Sequence, residues 1–289
     1  MTEETKVPTF NAPVKRKAVT APIIIIHGQP GSGKSTTAAS APNALFLFTE
    51  NGQRDLEVQT IIDRPFESAA EFVAGLDFVG RGVKSGEFKN VSSLVIDSLD
   101  HLETLVVNEV TATYRVRAAA DGFKDDVIAS ITSFNEIPAK YNFEKWSEID
   151  AQWQLIWKRI TRLRDLGLSI VGLCHSHLRV IDDPSSDAPY ERHELKLDPK
   201  RAQKYWVDNA DVIGFIHYPT VFDSESRRTS LSRSPYIVFE RSAAWMSKPN
   251  FGLTKQKLDK PETGFLDTFA SKIPFYAKYQ TPEKTEKKA

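Results

Sequence analysis

The sequence predicts an α/β fold with a mainly parallel sheet and antiparallel edge strands. Three observations predict it. Short runs of β-branched and aromatic residues alternate along the chain with stretches whose apolar residues recur at helical spacing. The first such run, Ile23 to Ile26, passes directly into a glycine-rich turn and then into small, helix-compatible residues. The last strand-like runs are joined by links too short for helical crossovers, which makes them an antiparallel edge.

Composition sets the frame. The chain has 289 residues, 40% apolar and 26% charged, enough for one large domain with a substantial core. Its formal net charge is zero, so no global field draws it to nucleic acid or membrane, although a local basic groove stays open. Cys174 is the single cysteine, so no intrachain disulfide is possible, which fits a reducing cytoplasm. The N-terminus lacks the apolar core of a signal segment, and no apolar run reaches membrane-spanning length. A cytoplasmic protein with no membrane partner is expected.

In chain order, residues 1–20 read as a flexible arm with Pro8, Pro13 and the cluster Lys15, Arg16, Lys17. Ile23 to His27 is the first strand, and its helix runs from about Gly33 to Ser40. Pro42 ends that helix, because proline disfavours helix in the residue before it. Ala44 to Thr49 is a strand that ends on Glu50. Ser68 caps a helix to Val79 with Glu71 as its capping-box partner, and Phe72, Val73, Leu76 and Val79 form the stripe. Ser93 to Asp97 is the next strand, followed by a helical pattern through Leu99, Leu102, Leu105, Val106 and Val110. Residues 111–147 have broken periodicity and read as helical fragments and loop. Ile149, Trp153, Ile156, Trp157, Ile160, Leu163 and Leu166 then mark a helix stopped by Gly167, with both tryptophans on the core stripe. Leu168 to Cys174 is a strand ending in His175-Ser176-His177. Residues 178–200 read as a polar loop, 199–207 as a short helix and 211–218 as a strand. Residues 219–236 are polar and basic, with Arg227, Arg228 and Arg233, and Tyr236 to Arg241 is the last strand. The tail bearing Lys284, Lys287 and Lys288 is expected to be disordered.

The chemistry concentrates at the first turn. Gly28, four residues, then Gly33-Lys34-Ser35 satisfies the phosphate-loop pattern between a predicted strand and a predicted helix. The amides of Gly28, Gln29, Pro30 (which has none to offer), Gly31, Ser32, Gly33, Lys34, Ser35 and Thr36 make up the segment that would cradle phosphates. Lys34 supplies a cation for the β- and γ-phosphates, and Ser35 a hydroxyl for Mg²⁺. Asp97 closes an apolar strand where such proteins put the carboxylate that holds Mg²⁺ through water. Its successor is Ser98, so the Asp-Glu pair of AAA+ motors is missing. Glu50 is then the candidate to orient attacking water, against the alternative of a cap or loop carboxylate, with Asp100 in reserve. His175 is either a γ-phosphate sensor or a hydrogen-bonded strand-end histidine. Zinc at His175 and His177 is discounted, because no matching cysteine or further histidine lies nearby in sequence.

The stretches IIIIHGQPGSGKST, LFLFTEN, SLVIDSLDHLE, IVGLCHSH, WVDNADVIGFI and MSKPNFGL, in that order over residues 21–255, resemble the RecA-like ATPase core. More narrowly, the chain resembles phage-encoded AAA-family ATPases related to RecA-like single-strand annealing recombination proteins. The resemblance implies a three-layer RecA-like P-loop core at 21–255 and a C-terminal extension at 256–289 with a disordered basic tail. It implies ATP and Mg²⁺ as ligands, slow hydrolysis, a homo-oligomeric ring or filament, and a role on single-stranded DNA in phage recombination. Lys248 occupies the position of the basic residue that reaches a neighbour's γ-phosphate, with Arg241 in reserve. Pro249 and the lack of a second basic residue depart from that pattern. By the same resemblance, the segments at 178–200 and 219–236 would hold DNA. A P-loop kinase for a small acceptor and a non-hydrolysing ATP-dependent assembly module stay open as alternatives.

Overall fold

Which residues stand where was established from a computed structural model of the chain, which describes residues 19–51, 56–223, 228–260 and 262–279. The predicted arm up to residue 18, Arg227, and the lysine tail lie outside the described residues.

The elements follow the sequence periodicity closely at first. The isoleucine run forms β1 (Ile23–Gly28), and the turn leads into α1 (Lys34–Ala39). β2 (Ala44–Phe48) and β3 (Gln59–Thr60) precede α2 (Ala69–Ser85), whose Ser68 side chain accepts from the Glu71 amide as the capping pattern requires. β4 (Ser93–Asp97) leads into α3 (Leu99–Ala120), which continues well past the legible stripe. α4 (Asp125–Ser130) and two short helical turns lead to α5 (Asn142–Asp165). Much of the segment that read as broken is therefore helix.

The second half departs further from expectation. β5 (Ser169–Ile181) does not stop at Cys174 but runs on, and β6 (Tyr190–Leu195) returns antiparallel to it. The expected polar loop at 178–200 is thus mostly a hairpin, with turns at its tip and after Leu195. After α6 (Ala202–Asn209) and β7 (Val212–His217), the expected basic loop contains a second hairpin, β8 (Thr220–Asp223) and β9 (Arg228–Leu231). β10 (Tyr236–Val238) is shorter than expected, and β11 (Gln256–Lys257) pairs with it.

Among the described residues, nine strands make one sheet in the order β11-β10-β7-β1-β5-β4-β2-β3, with β6 attached to β5 off that path. β7, β1, β5, β4, β2 and β3 are parallel, β10 and β6 run against them, and β11, antiparallel to β10, runs with them again. The period of two splits the isoleucine run between the sheet's faces. Ile23 and Ile25 join a core with Phe72, Leu76, Val106, Trp153, Ile156 and Trp206, under α2, α3, α5 and α6. Ile24 and Ile26 join the opposite core, with Ala38 of α1 and with Phe239, Phe265, Phe269 and Tyr276. The result is a sheet between two covering layers, the α/β class expected. Trp153 is fully buried and Trp157 meets Trp206 edge to face, so both tryptophans serve packing. Among the described residues, no helix is long and apolar enough to cross a membrane.

Candidate nucleotide site

The parallel strands β1, β2, β4 and β5 open their carboxyl ends on one edge, where ligands bind in open α/β sheets. Register decides which residues meet there. Gly28 at the end of β1 is level with His175 on β5, and Asp97 at the end of β4 is level with Phe48 on β2, two residues before Glu50.

The phosphate loop has the backbone its glycines predict. Gly33 sits at φ 91°, a left-handed conformation that a side chain would strain. Gly28 serves close approach instead: a Cβ there would stand 2.3 Å from the Ile216 carbonyl oxygen on β7. Lys34 is buried, and its Nζ donates to the carbonyls of Gly28 and Gln29 at 3.1 Å each, which holds the ammonium within the loop. Burial pulls its pKa down, against the attraction of Asp97, Asp100 and Glu50.

Ser35 Oγ donates to Asp97 Oδ2 at 2.7 Å, so the two oxygen donors expected for Mg²⁺ are already neighbours. Burial raises the Asp97 pKa to about 6; the Ser35 hydrogen bond opposes this, and nearby Glu50 adds to it. A buried carboxylate beside a hydroxyl, made costly by its own charge, fits a hard cation that takes oxygen ligands. The peptide between Asp97 and Ser98 is cis. Thr49 ties the ends of β2 and β4 together: its hydroxyl donates to the Ser98 carbonyl at 2.7 Å and accepts from the Ser98 amide at 2.9 Å.

Glu50 and His175 reach the same edge. Glu50 Oε2 lies 2.8 Å from Nδ1 of His101, in the first turn of α3. His175 Nδ1 lies 3.0 Å from Asp100 Oδ2, and the His175 amide donates to Asp100 Oδ1 at 3.1 Å. Burial alone would raise Asp100, but the hydrogen bonds from His175 outweigh it and bring the carboxyl to about 2. His101 and the pairing of Thr49 with Ser98 escaped the sequence reading, although the run SLDHLE placed His101 one helical turn from the strand end. His27 escaped it too. It is fully buried in β1, hydrogen-bonded to Ser176 Oγ at 2.8 Å and the Met246 carbonyl at 2.7 Å, and burial lowers its pKa to about 4. A histidine inside an apolar strand was the available signal.

Lys248 is not brought to this edge. Its Nζ donates to the carbonyls of Val207 and Asp208 at 3.2 and 3.1 Å, near the end of α6. Its backbone pairs with Ile213 near the start of β7, and β7 runs parallel to β1, so Lys248 belongs to the opposite end of the sheet. On the β5–β6 hairpin, Arg179 and Arg192 are both engaged by Glu194, whose side chain is only 3% exposed. Arg241 and Arg192 line an open cavity of about 490 Å³ with Tyr190 and Trp245.

Comparison with known proteins decides the family. The family described as AAA domain (AAA_24) matches residues 20–248. The chain belongs to the AAA domain family. The match spans the phosphate loop, Glu50, Asp97, the β5–β6 hairpin and Lys248, so the AAA domain contains every site residue named above. It identifies the chain as a P-loop ATPase by family. Among solved structures, a KaiC-like protein, PH0186, from the hyperthermophilic archaeon Pyrococcus horikoshii OT3 aligns with a TM-score of 0.39 and 13% identity, covering 84% of this chain and 88% of that one. No curated protein matches this AAA domain chain.

Proposed function

We propose that the chain binds Mg²⁺–ATP and hydrolyses it slowly. The observation that carries this reading is the convergence of Lys34, the 2.7 Å Ser35–Asp97 pair and Glu50 on one sheet edge, from the start of α1 and the ends of β4 and β2. The backbone from Gly28 to Thr36 would cradle the phosphates, with Lys34 leaving its own loop carbonyls for phosphate oxygens. Ser35 and Asp97 would hold Mg²⁺, which, when bound, neutralises phosphate charge. Glu50 would accept a hydrogen bond from the attacking water and so orient it. His175, fixed by Asp100, would register the presence of the γ-phosphate from its place level with Gly28.

The finer reading is work on single-stranded DNA in phage recombination or annealing, by a homo-oligomer in the host cytoplasm. It rests on the order of the resembling stretches and on the two hairpins that flank the site. The ion pairs to Glu194 weaken the part that Arg179 and Arg192 would play in the 178–200 segment, and leave Arg233 of the 219–236 segment as the stronger DNA candidate. Trans activation by Lys248 would need an interface that draws it from the end of α6. The test is phosphate release from Mg²⁺–ATP with and without single-stranded DNA, for the parent and Lys34→Ala. Stimulation by DNA, lost in Lys34→Ala, is expected. ATP binding without turnover under both conditions would overturn hydrolysis and favour the assembly module.

A further inference from the structure

Histidine 101 brings a second chemistry to this edge. Glu50, His101 and His175 each offer a ligand atom, and these atoms all lie within 4.8 Å of one another. They come from three elements: the end of β2, the first turn of α3, and β5. A tetrahedral ion with bonds of about 2.1 Å spaces its ligands roughly 3.4 Å apart, so side-chain adjustments of about 1 Å would close the set.

The surroundings are those of a metal ligand set. The tautomer of His175 that donates from Nδ1 to Asp100 carries its lone pair on Nε2, free to ligate. Asp100 is 4% exposed at its side chain and is held in turn by the His175 amide. A carboxylate that orients a histidine in this way is the usual outer shell of a histidine–metal bond. All three side chains are partly exposed, His101 at 41%, Glu50 at 21% and His175 at 18%, and His101 also lines an open cleft of about 450 Å³ with Asp100, Glu103, His177 and Lys196. Two imidazoles and one carboxylate suit Zn²⁺, Co²⁺ or Ni²⁺, whereas Mg²⁺ takes oxygen ligands. The set therefore differs in kind from the Ser35–Asp97 pair beside it. The sequence reading discounted zinc at His175 and His177 because no further ligand lies nearby in sequence; the fold brings His101 beside His175.

We propose that Glu50, His101 and His175 bind a divalent transition-metal ion of the Zn²⁺ class, and that the bound ion inhibits hydrolysis by occupying Glu50. The inhibition rests on the role proposed above for Glu50; the binding does not. The test uses the full-length, tag-free chain without nucleotide. Co²⁺ is titrated by its d–d absorption and Zn²⁺ by calorimetry. One ion per chain is expected. His101→Ala and Asp100→Asn should each weaken it about 10- to 100-fold. His175→Gln serves as a second ligand variant, and circular dichroism checks that each variant is folded. No d–d band in the parent, or folded variants that bind like the parent, would overturn the site. In the ATPase assay, stoichiometric Zn²⁺ should inhibit the parent. Binding without inhibition would overturn the blocking action and remove Glu50 from water orientation. Absent binding, together with a Glu50→Gln loss of hydrolysis, would overturn this inference and leave the ATPase reading intact.

Discussion

At the scale of residues, burial sets the chemistry of the candidate nucleotide site. Asp97 is lifted to about 6 because its carboxylate is buried, despite the hydrogen bond from Ser35. In the nucleotide-free chain, the protonated acid then contributes stability that is complete below the ordinary carboxylate range and is lost as pH rises through about 6. Cation binding asks for the opposite form. Mg²⁺-dependent nucleotide affinity should therefore fall about tenfold per pH unit below about 6, and Asp97→Asn should flatten that slope. Fluorescent-nucleotide titrations with and without Mg²⁺ across that range measure it. Gly28→Ala is expected to lower stability by about 1–3 kcal/mol or more, because the added methyl meets a strand backbone that cannot move aside. Urea unfolding reads that loss. The phosphate loop was legible because its function is written in consecutive residues. The places of Asp97 and Glu50 at one sheet edge were legible because each ends an apolar strand. His101 and the Thr49–Ser98 clasp were not, since their partners are set by β2 lying beside β4, which no local pattern reveals.

At the scale of elements, the β5–β6 hairpin shows where pattern reading fails. Pro184 and Pro189 and the charged residues between 179 and 196 suggested a loop, but the prolines occupy only the tip. Arg179 and Arg192 stand directly opposite each other, an arrangement that would repel without Glu194 between them. Glu194→Gln should therefore loosen the hairpin and cost about 1–3 kcal/mol in unfolding free energy. Faster amide exchange at Leu178 and Val180, with β1 unchanged, would locate the effect. The early elements were more legible because each carries a strong period and a terminator, as with Ser68 and Glu71 at the start of α2. α3 was cut short in the reading because its stripe weakens after Val110, although tertiary contacts from Thr111, Tyr114 and Ala118 carry the helix on.

At the scale of the molecule, the sheet needs both covering layers. One is the helical layer the sequence announces. The other is made largely by residues after 255, where Phe265, Phe269 and Tyr276 are buried against Ile24, Phe46 and Phe239. Their spacing is too irregular to read as a helix, so no local pattern shows that they close a core. Phe269→Ala should cost about 3–5 kcal/mol, and a chain ending at residue 255 should expose that face and lose its cooperative unfolding transition. Chemical and thermal denaturation check both. Covered on both faces, the open sheet presents Lys34, Ser35, Asp97 and Glu50 together at one edge, the proposed ATPase site. The most direct measurement is phosphate release paired with ATP binding, for the parent, Lys34→Ala and Glu50→Gln. The account predicts that Glu50→Gln keeps ATP affinity while hydrolysis drops about 10²- to 10⁴-fold, and that Lys34→Ala loses both. Hydrolysis by Glu50→Gln at the parent rate, or a parent that binds ATP and never turns it over, would contradict it.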